Sequence, residues 1–345
     1  MEILASAVPV DAEITDAVDS VWSSLSRPGR WLTSRQKVAV VEEVRAAVSG
    51  HRGESDCLLP AGRDLIARIV HDPAGIQDLP SEEILGDSLT IDEYVELSAI
   101  AAKVVAIDLL CVGLGAPLLP MPHAGAGNPT RVRPGAAQDL GARVPMLTAE
   151  DLTLEIGPGV YHVNVRRGHS LIPEEAALQN TLIEALYVPD LLTHGLAGRR
   201  GLDRVQLEAM ATRVSALNRC YYCSTGHSQL LTMANGGADG IDLPSIVGGQ
   251  SFGGVKNGTE LGALVDAMVR DQSALDSART NALAVLTEEQ FLGAVATIAA
   301  FVMLNRVSDT SGIPLDEIAV VLLDSMPNNL GFHEFPGNRR DASRG

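Results

Sequence analysis

Residues 208–237 read EAMATRVSALNRCYYCSTGHSQLLTMANGG, and this is the pattern of two helices joined by a short turn. Leu207, Met210, Val214 and Leu217 recur at the three-and-four spacing that builds one apolar helix face. Asn218 is placed to cap a second helix, expected from about residue 220 to residue 234 and stopped by Gly236 and Gly237. On that second helix Cys220, Cys223 and His227 fall at i, i+3 and i+7, so all three project from one face.

Helical patterning continues on either side. Residues 12–118 read as one helical block, in which Val38, Val41, Val44 and Val48 keep a helical period and a third helix opens at Thr90. Residues 119–174 are rich in Pro and Gly at their start and read as an ordered linker or long loop. One short strand is expected there, where Val160, His162, Asn164 and Arg166 alternate with Tyr161, Val163 and Val165. Residues 175–327 form a second helical block, and residues 328–345 a polar tail.

The two blocks carry a repeat. Residues 90–118 align without a gap on residues 287–315: Tyr94 meets Phe291, Ala102 meets Ala299, Val105 meets Val302, and Gly115, Pro117 and Leu118 meet Gly312, Pro314 and Leu315. A fainter match sets residues 32–47 on residues 202–217. The order is the same in both halves, which points to a duplicated helical unit. The expected fold is therefore all-α, in two tandem copies.

Composition agrees. The 345 residues are 46% hydrophobic and 20% charged, with 3% aromatic, which favours close-packed helices over a β-sandwich. A net charge of −17 argues against nucleic-acid binding, which needs clustered Lys and Arg. No membrane span is expected: the apolar run 294–304 is too short, and 104–118 is broken by Asp108. The N-terminus lacks a basic n-region, so the cytoplasm is the default location.

The chemistry expected at the Cys pair is that of redox sulfur. The thiolate is the nucleophile, and a free thiol with a pKa of ~8.5 is mostly protonated at neutral pH. The first turn of a helix, with its positive dipole end, favours the anion. His227, one turn on, can accept the thiol proton. Glu208 lies twelve residues before Cys220 on the preceding helix and reaches His227 if the two helices pack antiparallel.

The pattern Glu-x11-Cys-x2-Cys-x3-His, with Ala-Leu-Asn ahead of the first cysteine, resembles the AhpD-like alkylhydroperoxidase branch of the carboxymuconolactone decarboxylase superfamily. Glu208, Cys220, Cys223 and His227 match that motif in type and spacing. Residues from about 188 to 314 resemble one family domain, and the first half resembles a degenerate copy in which Val38, Gly50, Gly53 and Cys57 stand opposite the four motif positions. The resemblance implies an all-α homo-oligomer that needs no cofactor or metal and acts on a hydroperoxide or related small molecule with a thiol or dithiol reductant. It implies a peroxidatic Cys223, a resolving Cys220, and a Glu208–His227 proton relay. One departure is Tyr222, which stands where the best-known hydroperoxidases carry a further His.

Other readings of these residues stay open. The same fold can run non-redox acid–base chemistry of the decarboxylase type through His227 and Glu208, or the chain can be a non-catalytic scaffold. Cys220, Cys223 and His227 also make part of a zinc set, although structural zinc usually takes four ligands. Cys57 and Cys111 read as core residues, Tyr221 and Tyr222 as packing, and His162 and His169 as solvated surface beside Arg166 and Arg167. The glycines around Gly249 and Gly254 lead to Val255-Lys256 rather than to Lys-Ser/Thr, so they are not a phosphate-binding loop.

Overall fold

The computed structural model describes residues 6, 8–53, 55–79, 81–86, 88–159, 161–188, 195–249, 252–323 and 330–338. Fifteen α-helices lie among them. The first five are α1 (Ala12–Ser24), α2 (Ser34–Val48), α3 (Pro60–His71), α4 (Ser81–Leu85) and α5 (Ile91–Leu114). Then come α6 (Ala149–Ile156), α7 (Asn164–Arg167), α8 (Pro173–Leu186), α9 (Arg204–Leu217) and α10 (Tyr221–Ala234). The last are α11 (Leu243–Gly248), α12 (Gly258–Val269), α13 (Leu275–Val285), α14 (Glu288–Ser311) and α15 (Glu317–Val321). The described residues contain no strand, just two isolated bridges, Gln138 with Met146 and Arg199 with Leu202.

The centre is the pair α5 and α14. Each is 24 residues long. Each opens with a capping box, Thr90 with Glu93 and Thr287 with Gln290, and each stops at a left-handed glycine, Gly115 (φ 70°) and Gly312 (φ 60°). Their packing is close: a Cβ at Gly113 would come within 2.6 Å of both Val295 and Met268. The Tyr94 hydroxyl donates to the Thr310 carbonyl at 2.6 Å and ties the pair at one end. Both helices are long and apolar enough to cross a membrane by length and composition, yet 89% and 100% of their most apolar windows are buried inside this fold. Arg45 pairs with Asp108 through two contacts of 2.8 Å, and α5 runs past it to Leu114.

The first half of α14 is apolar from Phe291 to Leu304 and builds the core; its last turns, from Asn305 to Ser311, are polar and equally buried. That polar end sets the floor of the site described below. Around the central pair, α2 and α3 flank α5, while α9, α10 and α12 flank α14. Both α2 and α9 open with a capping box, Thr33 with Gln36 and Asp203 with Gln206. The ungapped register then fails. Gly50, Gly53 and Cys57 lie in the loop ahead of α3, whose N-cap is Leu59, so none of them occupies a helix position equivalent to the motif.

Outside the helical blocks the expected strand and the expected polar tail are corrected. Residues 119–148 are an ordered strap pinned to the first helices: Trp22 Nε1 donates to the Pro120 carbonyl at 2.9 Å, and the Arg131 amide to that of Arg30 at 2.7 Å. The rest of the expected linker contains α6 and α7. The expected strand is absent over residues 161–166, and Val160 lies outside the described residues. There the Asn164 amide donates to Asp316 Oδ1 at 2.8 Å and its side chain to the Pro314 carbonyl at 3.1 Å, which starts a helical turn with no sheet to pair against. Within the expected polar tail, Leu330 and Phe332 pack into the core; residues 328, 329 and 339–345 lie outside the described residues.

Candidate functional site

Helices α9 and α10 form a tight antiparallel hairpin. Asn218 ends α9 rather than capping α10, and Arg219 makes the reversal with φ 56°. The Cys220 amide then donates back to the Ser215 carbonyl at 3.0 Å. This makes Cys220 the N-cap of α10 and puts Cys223 in its first turn.

The hairpin brings Glu208 and His227 together. Glu208 Oε2 lies 2.6 Å from His227 Nδ1. Glu208 is fully buried. Its other oxygen takes Arg204 Nε at 2.5 Å and the Tyr187 hydroxyl. Burial alone would raise this carboxyl; the facing imidazole, Arg204 and Tyr187 hold it below its ordinary value. Arg213 is committed to Asp266 through two contacts of 2.8 Å, and Arg219 is exposed in the turn.

His227 is held by packing as well. Its ring meets Phe301 edge-on at 4.4 Å between centroids and Tyr187 at 6.1 Å, and Phe301 meets Tyr187 at 4.8 Å. The Arg204 guanidinium lies over the Tyr187 ring at 5.4 Å. A cavity of about 230 Å³ opens over this cluster, lined by His227, Tyr187, Tyr222, Asp316, Arg204 and a majority of apolar side chains such as Leu304.

The two thiols sit beneath, both buried. Cys223 Sγ lies 3.5 Å from Ser308 Oγ, and Cys220 Sγ lies 3.9 Å from the Asn305 carbonyl. Among the described residues no hydrogen bond joins His227 to either thiol, and neither sulfur lines the cavity. The helix-start argument for thiolate is corrected at Cys220. Burial, then the neighbouring Cys223 thiol and the Asp309 carboxylate, push it well above the ordinary thiol range; the Cys223 backbone N–H acts the other way and is outweighed.

Tyr222, in place of the extra His of the resembled family, faces the cavity and donates to Asp316 Oδ2. Its oxygen also receives the Val165 amide at 3.4 Å. Of the residues read as surface, His162 lines the cavity mouth, but His169 is buried against Thr310 Oγ1 at 3.0 Å. Burial, with Lys103 nearby, lowers its pKa to about 3. Cys111 is buried in α5. Among the described residues no group of three or more His, Cys, Asp or Glu is arranged to hold a metal ion.

Sequence reasoning missed Arg204, Tyr187, Phe301, Asn305 and Ser308. Arg204 carried a usable signal, since it precedes Glu208 by one helical turn. Tyr187, just past the end of α8, and Phe301, Asn305 and Ser308 on α14 are near the site through tertiary packing alone. Comparisons of the chain with family models, with curated proteins and with solved structures give no match.

Proposed function

We propose that this protein is a thiol-dependent, AhpD-like peroxidase-type oxidoreductase, in which Cys223 is peroxidatic and Cys220 resolving. The observation that carries the reading is the Glu208–His227 contact of 2.6 Å on the hairpin that also holds the Cys pair. The four motif residues, separated in sequence, thus lie within one helical hairpin.

In this mechanism the Cys223 sulfur attacks the terminal oxygen of a hydroperoxide. The O–O bond breaks, the alcohol leaves with a proton, and Cys223 becomes a sulfenic acid. His227 takes the Cys223 thiol proton and delivers it to the leaving alkoxide, and Glu208 fixes its tautomer and stabilises the imidazolium. Cys220 then displaces water from the sulfenic sulfur to close a disulfide, which an external thiol or dithiol reduces. Because both sulfurs lie under the cavity, the first turn of α10 must shift for substrate to arrive. The same family reading carries a tandem duplication and a homo-oligomer.

The test is the mass of intact protein before and after one equivalent of hydroperoxide, with remaining thiols trapped by alkylation. A loss of two hydrogens mapped to Cys220–Cys223 is expected; unchanged thiols refute the reading.

One observation favours a second reading: His227 lines the cavity and the thiols do not. Non-redox acid–base chemistry by His227 and Glu208, of the decarboxylase or lactone-processing type, needs no thiol access. Turnover that survives replacement of both cysteines by serine would select it.

A further inference from the structure

Asp309 is a buried carboxyl that the chemistry above leaves unused. It lies in the last turn of α14 and is fully buried. Its Oδ1 accepts from Gln77 Nε2 at 3.3 Å, while Oδ2 has no aligned hydrogen-bond donor. Cys220 Sγ meets the Asn305 carbonyl at 3.9 Å, one helical turn before Asp309 on α14, so the thiol faces the same end of that helix, and carboxyl and thiol shift one another's ionisation. Around it stand Arg306 on the same helix, Asp72 after α3, Tyr94 on α5, and Cys220 at the start of α10. Arg306 does not neutralise it by direct contact: its Nη1 donates to the Val302 carbonyl at 3.0 Å and its Nη2 to that of Val70 at 2.8 Å. A buried carboxyl with one oxygen unpaired is costly to keep.

We propose that Asp309 is the catalytic base for Cys220, taking its proton as Cys220 closes onto Cys223. The proposal rests on the thiol reading of the pair. In the closing step the Cys220 sulfur attacks the Cys223 sulfur; the S–S bond forms and the S–O bond of the sulfenic acid breaks. The Cys220 sulfur is oxidised by one electron equivalent and the Cys223 sulfur reduced by one. The Cys220 proton passes to Asp309 and from there to the departing hydroxide, giving water. The electrostatics suit this role. Burial pushes Asp309 up to about 7, against the lowering effect of Gln77 and Cys220, so it exchanges a proton near neutral pH. Cys220, whose own pKa is raised, needs such a base.

The experiment measures the rate of Cys220–Cys223 disulfide closure in the full-length protein from pH 5 to 9, in two arms. One arm starts closure with tert-butyl hydroperoxide, and the other with hydroxyethyl disulfide, where Cys220 resolves a mixed disulfide on Cys223 instead. Asp309→Asn should slow closure about 10- to 100-fold in both arms and remove an inflection near pH 7. Unchanged rates and profile would overturn the role of Asp309. Closure with the disulfide but not the hydroperoxide would overturn the peroxidase reading while leaving the Asp309 effect measurable. Absence of closure in both arms overturns both. If Asp309→Asn melts early, Gln77→Leu serves instead. Loss of its amide should move the inflection to higher pH, and an unmoved inflection overturns the proposal.

Discussion

Glu208 Oε2 and His227 Nδ1 meet at 2.6 Å across the α9–α10 hairpin, inside a set in which the same carboxylate also holds Arg204 and Tyr187. The carboxylate therefore has two duties, orienting the imidazole and neutralising a buried guanidinium. Glu208→Gln is expected to slow hydroperoxide-dependent Cys223 oxidation about 10²–10⁴-fold, because the amide no longer stabilises the imidazolium. It should also destabilise the fold by about 3–5 kcal/mol, since Arg204 is left buried without its carboxylate. Stopped-flow oxidation beside a denaturant melt reads both. An unchanged rate removes Glu208 from the chemistry.

The two sulfurs should separate by mutation. Cys223→Ser is expected to abolish hydroperoxide reduction. Cys220→Ser should leave a sulfenic acid on Cys223 that a dimedone-type reagent captures. Capture on Cys220 in the Cys223→Ser protein would reverse the roles.

Cys220 should titrate above the range of a free thiol, because burial, Cys223 and Asp309 all disfavour its thiolate. In a Cys223→Ser background its alkylation rate is expected to keep rising beyond pH 9. A plateau near or below pH 8 would contradict the geometry.

Phe301 is fully buried and packs edge-on against His227 at 4.4 Å. Phe301→Ala should cost about 3–5 kcal/mol through lost transfer energy and a residual cavity. It should also slow Cys223 oxidation by freeing the imidazole. Full activity at reduced stability would show that the ring contributes packing alone.

Glu96 offers a separate test by pH. Its Oε2 accepts the Trp31 amide at 2.6 Å and the Leu32 amide at 3.2 Å in a buried corner that also holds Glu175 and Lys37. Burial, then the Glu175 charge, raise its pKa from 4.5 to about 7. A raised carboxyl binds its proton more tightly in the folded state. Its contribution is thus complete below the unfolded value, declines as pH rises through that window, and is lowest above about 7. Glu96→Gln should flatten that part of the stability–pH curve measured by urea unfolding. An identical curve for both proteins would place the titration elsewhere.

The sequence by itself determined the helical class, the two long central helices and the hairpin carrying the Cys pair. These are local matters: the three-and-four apolar spacing, the capping boxes at Thr90 and Thr287, and the left-handed glycines 115 and 312 act within a few residues. It also supplied the four motif residues, since Glu208, Cys220, Cys223 and His227 sit on one hairpin. Tertiary structure decided the rest. Helical spacing placed the cysteines near a positive helix end, but packing against α14 buried them, and at Cys220 desolvation outweighs the dipole. Packing also supplied Tyr187 and Phe301 to the histidine, and Ser308 and Asp309 to the sulfurs. Asp309 lies 86 positions after Cys223 in the chain, so no period or spacing could connect them. A polar last turn on an otherwise apolar core helix gains its meaning from what the fold sets against it.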